Sequence, residues 1–367
     1  MTDKIRVGII GVQPDRSWAA VAHIPALAEL PDFEVTALST TRQESADAAA
    51  ARYGIPHAFD NHQALVNCPD VDLVVVAVKV PHHLELVTAA IAAGKHVYCE
   101  WPLGNGLAEA RTMAQMAHDR GVKAVIGLQA RHAPAIRYAG DLVRQGFIGD
   151  ALSTSLVGIG HNWGEYVDPP NAYTADRRAG VTLLTIPVGH SMDAVCDMLG
   201  EVDALSALMT NRRKATINTE TGEALPLTSE DQVVIAATLE GGIVASLHYR
   251  GGTSKGTGFL WEINGSKGDL RLSAIGGNAQ IFDLSLEGAG ADDDAMKPLK
   301  VPDTYFSTSL REGPAMNVAE AYMRLLADLR TGTNSCPTFE DAVVRHQMLE
   351  AVEVSARTGN RTAPRDL

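Results

Sequence analysis

The first third of the chain alternates short apolar runs with longer segments of helical periodicity. Five runs have the near-continuous apolar character of parallel strands that are buried on both faces. They are Ile5–Ile10, Glu34–Leu38, Asp72–Val78, His96–Cys99 and Ala124–Gly127. The predicted helices between them are Val21–Leu30, Ser45–Tyr53, Leu84–Ala93 and Leu107–Arg120. Repeated strand–helix units of this kind predict an α/β domain with a doubly wound parallel sheet.

The pattern changes after residue 128. One helix, Ala133–Gln145, is followed mainly by alternating segments that predict strands. These are Ala151–Val157, Ala204–Met209, Asp231–Leu239, Ile243–Tyr249, Leu260–Asn264 and Asp269–Leu272. We expect Gly288–Asp294 to be an exposed loop, and Val318–Arg330 and Ala342–Thr358 to be closing helices. The sequence therefore predicts residues 1–128 as one domain and residues 129–367 as an α+β domain with a large, mostly antiparallel open sheet. Packing of the C-terminal helices back onto the first domain is the alternative for those helices.

Charge and cysteine spacing exclude several classes of function. The net charge of −13 argues against a nucleic-acid-binding surface. No apolar run approaches the ~18 residues of a membrane span, and the start of the chain lacks a signal-peptide pattern. The four cysteines are scattered without the spacing of zinc ligands, so we expect no metal. Together these features predict a cytoplasmic protein.

The end of the first strand carries the glycines of a candidate phosphate site. Gly8 and Gly11 lie where the strand turns toward a helix, and backbone N–H groups and the helix dipole bind pyrophosphate at such a turn. The second glycine of the usual GxGxxG pattern is missing, and a simple strand-end turn is the alternative. The surrounding strand–helix–strand context favours a Rossmann-type domain that binds NAD or NADP.

The residues that follow the second strand bear on the choice of cofactor. An NAD site usually has Asp or Glu here, whereas this chain has Ser39, Thr40, Thr41 and Arg42. Hydroxyls and a guanidinium suit a 2′-phosphate, so the sequence favours NADP over NAD. The alternative is a cluster of residues at a helix N-terminus.

Three segments together resemble one family. Residues 93–103, Ala-Gly-Lys-His-Val-Tyr-Cys-Glu-Trp-Pro-Leu, resemble the AGKHVxxEKP signature of the glucose–fructose oxidoreductase, inositol dehydrogenase and MocA (Gfo/Idh/MocA) family. Gly189–Asp193 resembles its GxHxxD segment, and Glu262–Leu270 resembles its EIxGxKGxL segment. The resemblance implies an NAD(P)-dependent oxidoreductase that acts on a sugar, polyol or related compound. It also implies a homodimer or homotetramer assembled through the C-terminal sheet.

The chain departs from that family at the site of chemistry. Trp101 stands where the family has a lysine that helps proton transfer, and an indole does not titrate near neutral pH. The carboxylate that usually precedes the catalytic histidine is missing from residues 183–188. Further segments, including Ser17–Ala19, Leu128–Arg131 and Gln145–Asp150, resemble the fungal galactose repressor-like branch. That branch implies, as an alternative, a non-catalytic NAD(P)-binding regulator with a protein partner.

The candidate catalytic residues are His190, Asp193 and Lys79. The resemblance makes His190 the acid–base group beside the nicotinamide, and an imidazole titrates near neutral pH. The alternative is a buried histidine at a helix start. Lys79 follows a central strand at the edge where ligands bind, and it could replace the missing lysine or be merely solvated.

The remaining candidates are assigned to ligand binding. The predicted cofactor-binding residues are Gly11, Val12, Ser17, Trp18, Ser39, Thr40, Thr41, Arg42, Val78, His83, Glu100, Trp101, Pro102 and Gln129. The predicted substrate-binding residues are Trp101, His161, Trp163, Tyr173 and His190. Packing is the alternative for Trp18 and for the aromatic cluster, and a helix-cap role is the alternative for His83. A further alternative for the reaction is NAD-dependent glycoside cleavage without net redox.

Overall fold

The computed structural model describes residues 4–367 and divides into two compact units. Unit 1 contains the described residues up to Leu128 together with Phe306–Val343. Unit 2 contains Gln129–Tyr305 and Val344–Leu367. The main sequence division places residues 306–343 in the second domain, and its alternative packs the C-terminal helices on the first domain. In the structure residues 306–343 cluster with unit 1.

Unit 1 is built on a parallel sheet of six strands. The strands are β1 Ile5–Ile10, β2 Phe33–Ser39, β3 His57–Phe59, β4 Leu73–Val76, β5 His96–Glu100 and β6 Ala124–Gly127. Their order across the sheet is β3-β2-β1-β4-β5-β6. The order reverses between β1 and β4, which creates the switch point where such sheets bind ligands. The predicted doubly wound parallel sheet is confirmed.

Helices cover both faces of that sheet because its central strands are apolar on both sides. The helices of the described chain are α1 Ile24–Ala28, α2 Gln43–Tyr53, α3 His62–Val66, α4 His83–Ala92, α5 Leu107–Arg120, α6 Pro134–Arg144, α7 Gly189–Leu199, α8 Gly313–Thr331 and α9 Phe339–Thr358. A π-helical turn, Ala19–His23, leads into α1, so the single helix predicted there is divided. Residues of α8, including Val318 and Tyr322, share the buried core of β1 and β4.

Unit 2 contains an open mixed sheet. The described strands of unit 2 are β7 Ala151–Gly160, β8 Tyr166–Val167, β9 Val202–Thr210, β10 Ala215–Asn218, β11 Ala224–Pro226, β12 Gln232–Leu239, β13 Val244–Gly251, β14 Phe259–Gly265, β15 Asp269–Ala274, β16 Ser285–Ala289 and β17 Lys297–Pro298. The large sheet has eight strands in the order β17-β16-β15-β14-β7-β13-β12-β9. Only β7 and β13 pair in parallel within it. The predicted large, mostly antiparallel open sheet is confirmed.

The alternation along β12 shows why one sheet face is a core. Val233, Ile235 and Leu239 are buried, whereas Val234 lies on the opposite face and is exposed. A strand presents successive side chains to opposite faces, so one face packs inward and the other remains open. On the described helices, no segment is both long enough and apolar enough to cross a membrane.

One loop prediction needs correction. The segment Gly288–Asp294 was expected to be an exposed loop, but Gly288 belongs to β16 and pairs with Leu270 of β15. A Cβ on Gly288 would lie 2.6 Å from Leu299 Cδ1, so this glycine permits close packing. The loop signal came from composition alone, which does not distinguish a turn glycine from a packed one.

Candidate functional site

Gly11 lies at the switch point of unit 1, directly after β1. Its φ is +99°, a left-handed conformation that favours glycine. A Cβ at this position would lie 2.5 Å from Val78 Cγ1 and 2.9 Å from the carbonyl oxygen of Ala77. The Gly11 amide donates to the carbonyl of Ser39 at 3.0 Å. The ends of β1, β2 and β4 therefore meet around a backbone that has room for no side chain.

The loop after Gly11 is held by its own hydrogen bonds. Ser17 Oγ donates to the carbonyl of Gln13 and accepts from the Gln13 amide, both at 2.9 Å. It also accepts from the amide of Ala20 at 3.2 Å. Ser17, predicted to bind the cofactor, thus shapes the loop and caps the π-helical turn.

Trp18 provides an unused donor beside this loop. Its ring packs against the core of unit 1, which is the packing alternative weighed from the sequence. Its Nε1 atom is buried and has no hydrogen-bond partner within residues 4–367. Buried N–H groups are normally satisfied, so this donor fits a position that a ligand completes. The close backbone approach at Gly11 and the orphaned indole N–H together fit a bound dinucleotide.

The end of β2 presents hydroxyls and one guanidinium. Ser39 is buried, whereas Thr41 and Arg42 are exposed. Thr40 Oγ1 donates to the carbonyl of Arg42 at 2.8 Å. Arg42 immediately precedes α2, and its side chain forms no cap hydrogen bond. The exposed guanidinium therefore lies at the edge of the sheet that a bound nucleotide's ribose would face.

His83 connects two loops at the same edge. Its Nε2 lies 3.0 Å from the carbonyl oxygen of Val78, and its Nδ1 lies 2.9 Å from that of Pro102. Burial lowers the pKa of His83, which favours the neutral ring. A neutral ring has a single N–H, so His83 donates to one of these two carbonyls and packs against the other, between the segment after β4 and the segment after β5. Its predicted contact with cofactor stays a prediction.

Three more predicted residues lie at or just after the ends of β4 and β5 at this edge. Lys79 is exposed and lies shortly after β4. Trp101, which directly follows β5, is only 5% exposed. Glu100 is buried, and its Oε1 lies 2.9 Å from Nε2 of His23. In a parallel sheet the carboxyl ends of all strands lie at one edge. These residues and Gly11 therefore lie at the same edge of the unit 1 sheet, which we call its carboxyl edge.

His190 lies in the first turn of α7 in unit 2 and is 4% exposed. The neighbouring Ser191 hydroxyl lies 2.7 Å from the hydroxyl of Tyr249, which itself donates to the carbonyl of Gly277 at 2.8 Å. Ser191 is therefore the donor to Tyr249, whose pKa is raised by burial. These two hydrogen bonds fix the start of α7 and therefore the position of the backbone that carries His190.

Asp193, one turn further along α7, is completely buried in an ion-pair network. Arg131 binds it through both guanidinium edge nitrogens, with Nε 2.7 Å from Oδ2. Arg131 also bonds to Asp197 at 3.1 Å, and Nε of Arg345 lies 3.7 Å from Asp193. A carboxylate held bidentately by a guanidinium is a strong anchor. Neither arginine was among the residues predicted from the sequence. The available signal was the pair of carboxylates, Asp193 and Asp197, four residues apart on one helix face.

The predicted substrate-binding aromatics occupy different environments in unit 2. His161 is exposed and stacks on Phe282 with ring centroids 5.7 Å apart. Trp163 is 2% exposed, and Gly160 closely approaches its ring. Tyr173 is half-buried, and burial raises its pKa. Trp163 is thus part of the buried core of unit 2, whereas His161 is accessible to solvent. Gln129, predicted to bind the cofactor, is fully buried in this unit.

One cluster in unit 1 brings three potential metal ligands together. Side-chain atoms of His57, Cys68 and Asp70 lie within 4.8 Å of one another. Asp70, however, is paired with the guanidinium of Arg6 at 3.1 Å, and Arg6 also binds Asp72 at 2.7 Å. We therefore assign Asp70 to the ion pairs that join β1 to the segment before β4.

The fold and these features define a dinucleotide-binding Rossmann unit combined in one chain with an open-sheet α/β unit. Residues 5–128 match the family model of an oxidoreductase family with an NAD-binding Rossmann fold, and residues 134–274 match that of the Gal80p C-terminal domain. The chain therefore belongs to the Gfo/Idh/MocA family and carries a Gal80p-like C-terminal domain. The resemblance stated from the sequence is confirmed.

Individual relatives include enzymes and a regulator. Dehydrogenase aclE of Aspergillus oryzae is 31% identical over 379 residues, which cover 100% of both chains. The galactose/lactose metabolism regulatory protein GAL80 of Saccharomyces cerevisiae is 31% identical over 307 residues, covering 78% of this chain and 70% of GAL80. A crystal structure of a super-repressor mutant of that Gal80p superimposes with a TM-score of 0.89 at 27% identity, covering 98% of this chain and 97% of the other.

Proposed function

We propose that the protein is an NAD(P)-dependent oxidoreductase that acts on a CH–OH group of a sugar, polyol or related carbohydrate-like compound. The observation that carries the proposal is the backbone approach at Gly11, where a Cβ would lie 2.5 Å from Val78. Such an approach at a switch point is what a dinucleotide pyrophosphate requires. Membership of an oxidoreductase family supports the reaction class.

Different residues of unit 1 would bind different parts of the cofactor. Gly11 would give the pyrophosphate room to approach the backbone closely, the amide of Val12 would donate to it, and the unused Nε1 of Trp18 would donate a further hydrogen bond. We propose that Thr41 and Arg42 receive the 2′-phosphate of NADP in preference to the free ribose of NAD, because a guanidinium pairs with a phosphate through two hydrogen bonds. When bound, the cofactor supplies or accepts the hydride.

Proton transfer would fall to residues other than Trp101. We propose that His190 is the general acid–base group and that Lys79 supplies the ammonium that the family's lysine normally provides. Asp193 is bound by Arg131, so we assign it to positioning α7 rather than to proton transfer. His161 and Tyr173 would contact the substrate, since an imidazole and a phenol can both bond sugar hydroxyls.

We further propose a cytoplasmic homodimer or homotetramer that assembles through the open sheet. Leu208 and Val234 are directly paired neighbours on adjacent strands, and both side chains are exposed. Adjacent exposed apolar side chains on a sheet face are typical of an interface.

The catalytic assignment is tested by substitution of His190 and Lys79. His190→Ala and Lys79→Met should each reduce the rate of nicotinamide reduction on a sugar and polyol panel by about 100-fold or more, while cofactor affinity stays within a few-fold. His118→Ala, an exposed histidine near the end of α5, is the control and should retain the full rate. Full turnover by His190→Ala would refute its role.

A second function, a non-catalytic NAD(P)-dependent regulator, is favoured by one specific observation. Trp101 replaces the family's lysine, and GAL80 is a regulatory relative. In that case the bound cofactor would stabilise a surface for a protein partner. Cofactor binding by the wild-type protein with no turnover on the whole panel would favour this function over the enzymatic one.

A further inference from the structure

A buried hydrogen-bond chain in unit 1 joins Glu100, His23 and Tyr322. Tyr322 Oη lies 2.7 Å from Nδ1 of His23, and Nε2 of His23 lies 2.9 Å from Oε1 of Glu100. His23 and Tyr322 are fully buried, and Glu100 is 9% exposed. Each residue comes from a different element: the π-helical turn, β5 and α8.

The chemistry of the end groups fixes the direction of this chain. A carboxylate oxygen only accepts, so Nε2 of His23 carries the hydrogen that is donated to Glu100. In the neutral ring Nδ1 is then an acceptor, and the Tyr322 hydroxyl donates to it. Burial raises the pKa of Tyr322 well above its usual range, which keeps that hydroxyl proton in place. The Glu100 carboxylate thereby selects the tautomer of His23, and the Tyr322 hydroxyl holds the ring through its other nitrogen.

Aromatic packing restricts the movement of His23 and Tyr322, and His23 bonds to Glu100. Tyr98 and Glu100 are two residues apart on β5 and so point to the same sheet face. The ring of His23 meets Tyr98 edge to face, with centroids 5.3 Å apart at 89°. Tyr98 in turn stacks on Tyr322 at 5.2 Å. The Glu100 carboxylate is therefore held at a fixed position on the carboxyl edge of the sheet, beside Trp101.

We infer that His23 and Tyr322 are positioning residues that hold Glu100 as a fixed negative charge, which makes unit 1 bind the oxidised cofactor in preference to the reduced one. The oxidised nicotinamide ring carries a positive charge and the reduced ring is neutral. A buried carboxylate at the ligand edge attracts only the charged ring, and a low local dielectric strengthens that attraction. This inference rests on the proposed binding of NAD(P).

The test measures the dissociation constants of the oxidised and reduced cofactors separately by calorimetry. Glu100→Gln keeps an oxygen that can accept from His23 but removes the charge. Its ratio of oxidised to reduced dissociation constants should rise about tenfold above that of the wild type. Tyr322→Phe leaves the charge but removes the hydrogen bond that orients the His23 ring, so its ratio should move in the same direction by a smaller factor.

A matched control is available in the same unit. Asp328 is also a buried carboxylate, but its loop bonds near Lys123, which precedes β6 at the opposite edge of the sheet. Asp328→Asn should lower stability while leaving the ratio unchanged. A purely structural role for the chain would weaken both cofactor forms equally in the Glu100 and Tyr322 variants, and that result overturns the inference.

Two further outcomes remain distinct. Failure of the wild-type protein to bind any nicotinamide cofactor would refute the proposed function itself. If neither variant folds, the ¹H–¹⁵N spectrum of the wild-type histidine side chains decides, because a proton on Nδ1 rather than Nε2 of His23 would overturn the proposed chain.

Discussion

Substitution of Gly11 by alanine perturbs the candidate pyrophosphate site at a single carbon atom. The new Cβ would meet Val78 Cγ1 at 2.5 Å and the Ala77 carbonyl oxygen at 2.9 Å, both closer than real Cβ contacts. The second neighbour is backbone and does not move by a change of rotamer. Either β4 and the Gly11 loop separate or the loop rearranges, and both displace the amides that would bind a cofactor.

The magnitude follows from two contributions. A non-glycine residue at the φ of +99° costs about 1–2 kcal/mol, and forcing a methyl group into filled space costs about 1–3 kcal/mol more. Gly54 offers a matched control, because its φ is +68° and no neighbouring atom lies within 4 Å of its Cβ position. Gly54→Ala should therefore show only the conformational cost. The difference between the two variants isolates the close approach.

The assay combines urea unfolding with calorimetric titration of the cofactor. We expect Gly11→Ala to lose at least tenfold in cofactor affinity, and Gly11→Val to lose detectable binding while the protein remains soluble and folded. Gly54→Ala should bind as the wild type does. Wild-type affinity in Gly11→Ala, with a stability loss no greater than that of Gly54→Ala, would refute the placement of the pyrophosphate.

Two further predictions concern buried carboxylates. Asp193→Asn leaves Arg131 without its buried counter-ion, so the free energy of unfolding of unit 2 should fall by about 3–5 kcal/mol in urea; an unchanged value would contradict the ion-pair assignment. For Asp328, burial opposes ionisation but amide bonds from Cys336 and Ser335 outweigh it, so its pKa lies below its usual value. Its carboxylate thus contributes stability above the unfolded-state pKa and loses it as the pH falls through the folded-state pKa. The melting temperature of Asp328→Asn should consequently fall less on acidification than that of the wild type, and parallel curves would contradict this reasoning.

The sheet of unit 1 could be predicted because each strand is recognisable from its own short stretch of sequence. Continuous apolar runs such as Ile5–Ile10 and the strand around Leu73–Val76 indicate burial on both faces without knowledge of their partners. Gly11 was likewise recognisable from its place at a strand end. The association of residues 306–343 with unit 1 was offered only as an alternative, because the pattern of α8 predicts a helix but not the sheet on which it packs.

The polar networks could not be predicted for a related reason. His23 and Tyr322 are 299 positions apart, and Arg131 and Asp193 are 62 apart. Nothing in either local sequence specifies the partner, since both pairings are created by tertiary packing. The aromatic cluster shows the same limit: His161 and Trp163 are two positions apart in the sequence, yet Trp163 is buried and His161 is exposed.

The most direct test of the account is calorimetric titration of the purified protein with NAD⁺, NADH, NADP⁺ and NADPH. The account predicts one cofactor site per chain, with tighter binding of the phosphorylated pair because Arg42 is exposed at the end of β2. Sugar- or polyol-dependent reduction of the bound cofactor should follow. No binding of any of the four would contradict the central claim that Gly11 and its neighbours form a dinucleotide site.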